Sequence, residues 1–120
     1  MPKILIVDDH PDIRRLLSIT LGKAYEIIEA ENGTTALEMV RRQKPRLVLL
    51  DIMMPGEMDG LQVLDAIKAD PALKDTLVAM VTARGQAADE EIGKKRGADA
   101  YFTKPFSPLK VVNWIREHVI

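Results

Sequence analysis

Cysteine is absent from the 120 residues, which excludes disulfides and thiolate metal sites and fits a reducing compartment. A strong net charge is absent too. The 17 basic and 18 acidic residues leave a formal charge of −1, so no field draws the chain onto nucleic acid or an anionic membrane. No direct nucleic-acid contact is expected, and any DNA role would come from another chain. Long apolar runs are also missing. The longest early one, Ile4 to Val7, is too short for a signal-peptide core and is closed by Asp8 and Asp9. Nothing approaches the roughly 20 apolar residues that cross a bilayer. A cytoplasmic protein without membrane contact is the expectation. No internal repeat, low-complexity tract or linker interrupts the sequence, so a single domain over residues 1–120 is expected. A chain of this size buries roughly two-thirds of its unfolded surface.

What is present is a set of short apolar runs: Ile4 to Val7, Leu47 to Leu50 and Leu77 to Val81, with weaker ones at Tyr25 to Ala30 and Ala100 to Thr103. The first three are apolar throughout, as in central parallel strands covered on both faces. Between them lie stripes at helical spacing: Ile13, Leu16, Leu17 and Leu21; Ala36, Leu37 and Val40; Leu61, Leu64 and Ile67; Val111, Ile115 and Val119. The segment from Gln86 to Arg96 is short and polar, and a helix there is the one expected to move most easily. Glycines and prolines punctuate the boundaries, and Ser107-Pro108 reads as a cap followed by a first-turn proline. Five strands alternating with five helices describe an α/β chain with right-handed crossovers, a doubly wound parallel sheet.

In such a sheet, ligands sit beyond the carboxyl ends of the strands, at the switch point in strand order. The residues there are Asp8 and Asp9 after the first strand, Asp51 after the third, Thr82 after the fourth and Lys104 after the fifth. Three converging carboxylates repel one another, and a cation resolves the repulsion. With hard oxygen ligands and no histidine or cysteine among these residues, the implied ion is Mg²⁺ in an open site. Asp51 is then free to act as nucleophile toward an activated phosphoryl group, with Lys104 neutralising charge on the equatorial oxygens.

The runs Ile4-Leu5-Ile6-Val7-Asp8-Asp9, Val48-Leu49-Leu50-Asp51-Ile52-Met53-Met54-Pro55, Val81-Thr82-Ala83 and Gly97 to Phe106 resemble, in order and spacing, the receiver domains of two-component response regulators. The resemblance covers the whole chain. It implies a flavodoxin-like (βα)5 fold with strand order 2-1-3-4-5. It also implies a signalling switch that catalyses its own phosphoryl transfer and slow dephosphorylation, rather than an enzyme acting on separate substrates. By position, it implies that Asp51 accepts phosphate from a sensor histidine kinase or a histidine phosphotransfer protein. Asp8, Asp9, Asp51 and the backbone carbonyl of Met53 hold Mg²⁺, and Lys104 pairs with the phosphoryl oxygens. Thr82 moves toward them, Tyr101 swings inward, and the Lys104-Pro105 bond is cis. The surface of the fourth helix, fifth strand and fifth helix then changes its affinity for a downstream protein target or output domain, and it is where a homodimer would form.

Blander readings stand beside these. Asp8-Asp9 also suits a strand-end turn and helix cap, Thr82 an ordinary strand position, and Tyr101 a packed aromatic. His10 is expected to begin the first helix, exposed, and His118 to sit at a helix end favoured by the dipole. Met53, Met54 and Met58 suit core or loop filling. Trp114 suits either a rim aromatic or a partner hot spot. The stretch Pro55-Gly56-Glu57-Met58-Asp59-Gly60 is one residue longer than the usual family spacing, which leaves Asp51 chemistry intact. Arg84 and Met53 occupy positions that tune water access in the family, and Lys110 and Trp114 replace charges that pair across dimers of DNA-binding members. The competing functions are an aspartyl-phosphate phosphatase, which needs a second acid where Met53 stands, and a flavin or nucleotide carrier, which needs a glycine-rich loop after the first strand. A phosphorylation-independent docking receiver is the third, and the intact acidic set argues against it.

Overall fold

Apolar residues at consecutive positions can be buried only if both faces of a strand are covered, and the chain folds to satisfy this. The computed structural model describes residues 1–54, 56–83, 87–104 and 107–119, with side chains for all of them except 82, 83 and 87–90. Its strands are β1 (Lys3–Val7), β2 (Glu26–Ala30), β3 (Leu47–Asp51), β4 (Leu77–Ala83) and β5 (Ala100–Lys104). The helices alternating with them are α1 (Pro11–Leu21), α2 (Gly33–Gln43), α3 (Gly60–Ala69), α4 (Ala87–Lys95) and α5 (Pro108–His118). The five strands form one sheet in the order β2-β1-β3-β4-β5, and every pairing is parallel.

Alternation along the strands divides the core in two. Leu5, Val7, Val48, Leu50, Val78 and Met80 point to the face covered by α2 and α3, where they meet Val40, Leu64 and Ile67. Ile4, Ile6, Leu47, Leu49 and Ala79 point to the other face and meet Leu17, Val111 and Ile115 of α1 and α5. Burying each such side chain contributes about 1.5–3 kcal/mol. Leu16, expected on the buried stripe of α1, is instead 44% exposed. Ile13, Leu17 and Leu21 follow one another at four-residue steps and form the stripe, while Leu16 lies about 100° around the helix from Leu17.

The helix starts fix the loops around the sheet's carboxyl edge. Asn32 caps α2 by accepting from the Thr35 amide at 2.8 Å. Asp59 and Gln62 form a reciprocal capping box at the start of α3, which stabilises such a terminus by about 1 kcal/mol. The α3 start is held down on β3 because Gly60 donates to the Ile52 carbonyl at 2.9 Å. A Cβ at Gly60 would run into the Asp51 backbone, so only glycine lets the helix approach this closely. Ser107 caps α5 with Pro108 in its first turn. Among the described residues, no helix is long and apolar enough to cross a membrane.

Candidate functional site

Strand register brings the acidic residues together. Val7 lies opposite Leu50 in the β1/β3 ladder, so the next residues, Asp8 and Asp51, leave the sheet side by side. Both are buried, at 3% and 4% exposure. Lys104, the last residue of β5, reaches across β4 to both: its Nζ lies 3.0 Å from Asp8 Oδ2 and 3.2 Å from Asp51 Oδ2. The Met53 amide donates to the other Asp51 oxygen at 3.2 Å, which orients the carboxylate from the loop side.

A single ammonium thus serves two buried carboxylates, and the electrostatics follow from that ratio. Burial pushes the Asp51 carboxyl above its ordinary value, against the opposing pull of Lys104. Burial also disfavours the charged form of Lys104, but its hydrogen bonds and attraction to Asp8 and Asp51 prevail and hold it above the ordinary lysine value. The lysine gains from two partners what each carboxylate must share. Negative charge is left uncompensated, and ligand oxygens of Asp8, Asp9 and Asp51 lie with a His10 ring nitrogen within 4.8 Å of one another. The cluster has the charge and the hard oxygen donors that suit a divalent cation such as Mg²⁺.

His10 is where the structure adds to the sequence reading. As expected, it precedes α1 and is exposed. Its Nδ1, however, lies 3.0 Å from Asp8 Oδ1 and 3.1 Å from Asp9 Oδ1, and these contacts hold the imidazole above the ordinary histidine value. Its adjacency to the acidic pair was the only signal in the sequence. Arg14 was missed altogether: it donates from Nη1 to the Asp8 carbonyl at 2.6 Å and from Nε to Glu29 at 3.1 Å.

The model for the response regulator receiver domain matches residues 4–116. The chain belongs to the response regulator receiver family. It is a receiver domain of a two-component response regulator, a signalling protein by family. The transcriptional regulatory protein SrrA of Staphylococcus aureus is 44% identical over 111 residues, covering 92% of this chain and 44% of SrrA. The chain therefore spans less than half the length of that relative. The solved receiver domain of NtrX from Brucella abortus superposes with a TM-score of 0.88 at 32% identity, covering 97% of each chain. The chemotaxis protein CheY4 of Vibrio cholerae does so with a TM-score of 0.88 at 29% identity, covering 99% of each chain.

Within this receiver fold, the expected site residues stand as follows. Lys104 contacts both Asp8 and Asp51, and Asp9 borders them through His10. The Thr82 backbone lies in β4 opposite Thr103, while its side chain lies outside the described residues, as do Arg84 and the bond to Pro105. Met53 is 59% exposed, Met54 is buried in the core, and Met58 packs against it. Tyr101 is half-buried, with its ring edge 3.1 Å from where a Cβ on Gly93 of α4 would stand. Trp114 is a rim aromatic, stacked on His118 with centroids 4.3 Å apart and meeting Phe102 edge-on.

Proposed function

We propose that this receiver is a phosphoryl-accepting switch in which an Asp51 carboxylate oxygen takes a phosphoryl group from a phosphohistidine of a sensor histidine kinase or phosphotransfer protein. The observation that carries the reading is the Lys104 ammonium shared between buried Asp8 and Asp51 at 3.0 and 3.2 Å. That arrangement leaves one nucleophilic carboxylate beside a shared cation and an excess of negative charge. Asp8, Asp9, Asp51 and the Met53 backbone carbonyl would hold Mg²⁺, which supplies positive charge for the oxygens of the transferring group. Asp51 attacks phosphorus, the phosphorus–nitrogen bond breaks, and the bonding pair stays on the donor imidazole, which takes up a proton. Lys104 exchanges a carboxylate partner for a phosphoryl oxygen without leaving the site.

The phosphoryl group adds roughly one negative charge over the carboxylate it replaces. Inverting a 1:99 population takes about 5.5 kcal/mol of differential stabilisation, and hydrogen bonds to charged groups contribute about 1.5–3 kcal/mol each. About two to four new contacts, from Thr82 and nearby amides, therefore reach the required scale. Tyr101 and the surface of α4, β5 and α5 carry the change to a downstream target, to an output domain or to a second copy of the chain. On this reading residues 1–120 work as one cytoplasmic receiver unit, and any DNA contact belongs to an output domain, in keeping with SrrA being a transcriptional regulatory protein.

The test is incubation with acetyl phosphate, with and without Mg²⁺, followed by intact mass. One phosphoryl group gained only with the metal, and not by an Asp51→Asn variant, is the expected result. Absence of labelling, even with a matched kinase or with beryllium fluoride as a phosphoryl mimic, overturns the switch.

A further inference from the structure

Asp8 is held from three directions, and only one of them uses the charge chemistry described above. Its side chain meets Lys104 and accepts from the His10 amide at 2.9 Å. Its amide extends the β1/β2 ladder by donating to the Ala30 carbonyl at 3.2 Å. Its own carbonyl lies past the end of β2 at Ala30 and is met by a side chain rather than by a strand amide. A side chain takes over where the ladder stops. Arg14, in the second turn of α1, reaches back so that Nη1 donates to this carbonyl at 2.6 Å, while Nε donates to Glu29 Oε1 at 3.1 Å. The arginine side chain is only 16% exposed. A planar guanidinium with fixed N–H directions, held at two points, sets an orientation that a flexible ammonium does not.

We propose that Arg14 is a positioning residue for the cation-binding loop: oriented by Glu29, it clamps the Asp8 carbonyl and so fixes the Asp8–Asp9 peptide, aiming both carboxylates at one ion. The inference rests on the receiver reading above and deepens it. Charge alone makes the opposite forecast. A cation beside the acidic loop repels a metal ion, so if Arg14 acted only through its charge, removing it would tighten metal binding. A clamp forecasts weakening, because the loop must then be ordered when the ion binds.

The experiment measures Mg²⁺ binding calorimetrically to the whole chain and to Arg14→Met, which keeps the packed stem, and Arg14→Lys, which keeps the charge. Acetyl phosphate labelling is followed as a function of Mg²⁺ concentration in parallel. The expected result is an Mg²⁺ affinity about 10-fold weaker in Arg14→Met, only partly restored in Arg14→Lys. The half-saturating Mg²⁺ for labelling should rise accordingly, with the rate at saturating metal largely retained. Before any metal is added, the Asp9 and His10 amide resonances should already have moved. Arg14→Lys serves as the test if Arg14→Met fails to fold, because with the charge kept a clamp forecasts weaker Mg²⁺ binding and charge alone forecasts no change. Unchanged or tightened Mg²⁺ binding in a folded Arg14→Met overturns the clamp while leaving the receiver reading standing. A fall in the saturating rate with unchanged half-saturation also overturns it. A wild-type chain that neither binds Mg²⁺ nor takes up phosphoryl overturns the underlying reading itself.

Discussion

The carboxyl ends of β1 and β3 and the flank formed by α4 and β5 belong to one sheet, yet they are built to opposite specifications. β1 and β3 are buried at every position but Lys3, and the charged residues at their ends are tied into contacts with Lys104, His10 and Arg14. Along β5 no residue is fully buried, and α4 carries a glycine in its last turn and leaves Ile92 38% exposed. Tight packing suits a site where carboxylates must meet an ion with fixed geometry. Sparse packing places the free energy of local opening at the low end, where a modest charge change can redistribute conformations. The proposed division of labour is chemistry on the rigid half, served by Lys104 reaching over from the end of β5, and readout on the loose one.

The harshest test of that division removes the chemistry. Asp51→Asn should abolish phosphoryl uptake by intact mass while leaving the fold, and the α4/β5 flank, in place. Next in size is Lys104→Met, which leaves Asp8 and Asp51 buried without their shared cation. Removing one partner of a buried pair costs about 3–5 kcal/mol, and the lower end is expected here because a carboxylate can take up a proton. Chemical denaturation at neutral pH measures the loss, which should shrink on acidification as the carboxylates are neutralised. In the wild type, the Lys104 contribution is present below the ordinary lysine value of 10.5 and is lost as pH rises through its higher folded value.

A subtler effect has the opposite sign to that of a salt-bridged carboxylate. Asp51 is held above its ordinary value of 3.8, first by burial. Its contribution to stability is therefore greatest below that value and declines as pH rises through the folded one. Without metal, Asp51→Asn should gain melting temperature relative to wild type as pH is raised from about 3.5 to 7, and Mg²⁺ should reverse the difference by binding the wild type more tightly. A constant difference across that range would show that Asp51 is not desolvated and that the site is less rigid than the comparison holds.

The rigid half was the more legible one in the sequence. Uninterrupted apolar runs such as Leu47 to Leu50 mark central strands unambiguously, and parallel pairing then leaves their ends on a common edge, so Asp8, Asp51 and Lys104 could be placed together from spacing alone. Arg14 and the ring contacts of His10 were not legible, because side-chain reach across a turn depends on where β2 stops and on how α1 is angled. Leu16 misled because an apolar residue between two stripe positions looks like part of the stripe until the helix rotation is fixed. On the loose half, Tyr101 could be named from its place in the family pattern, but its neighbour Gly93 could not. A glycine in a polar helix carries no signal until the opposing ring is seen.

That neighbour gives the smallest expected effect and the sharpest one for the comparison. Gly93 is buried, and a Cβ there would stand 3.1 Å from Tyr101 Cε2 and 3.8 Å from Met80 Cγ. Gly93→Ala should gain about 1 kcal/mol of helix propensity and lose most of it by pressing on the tyrosine ring. In wild type the two nearly cancel; in a Tyr101→Ala background the propensity gain should appear in full. A coupling of at least about 0.5 kcal/mol in that double-mutant cycle would show that α4 is tuned to admit the ring at the expense of its own stability. If Gly93→Ala instead stabilises both backgrounds equally, the ring yields freely and the looseness of α4 has no connection with Tyr101. The readout surface would then have to be sought on α5, where Trp114 meets Phe102 of β5 edge-on.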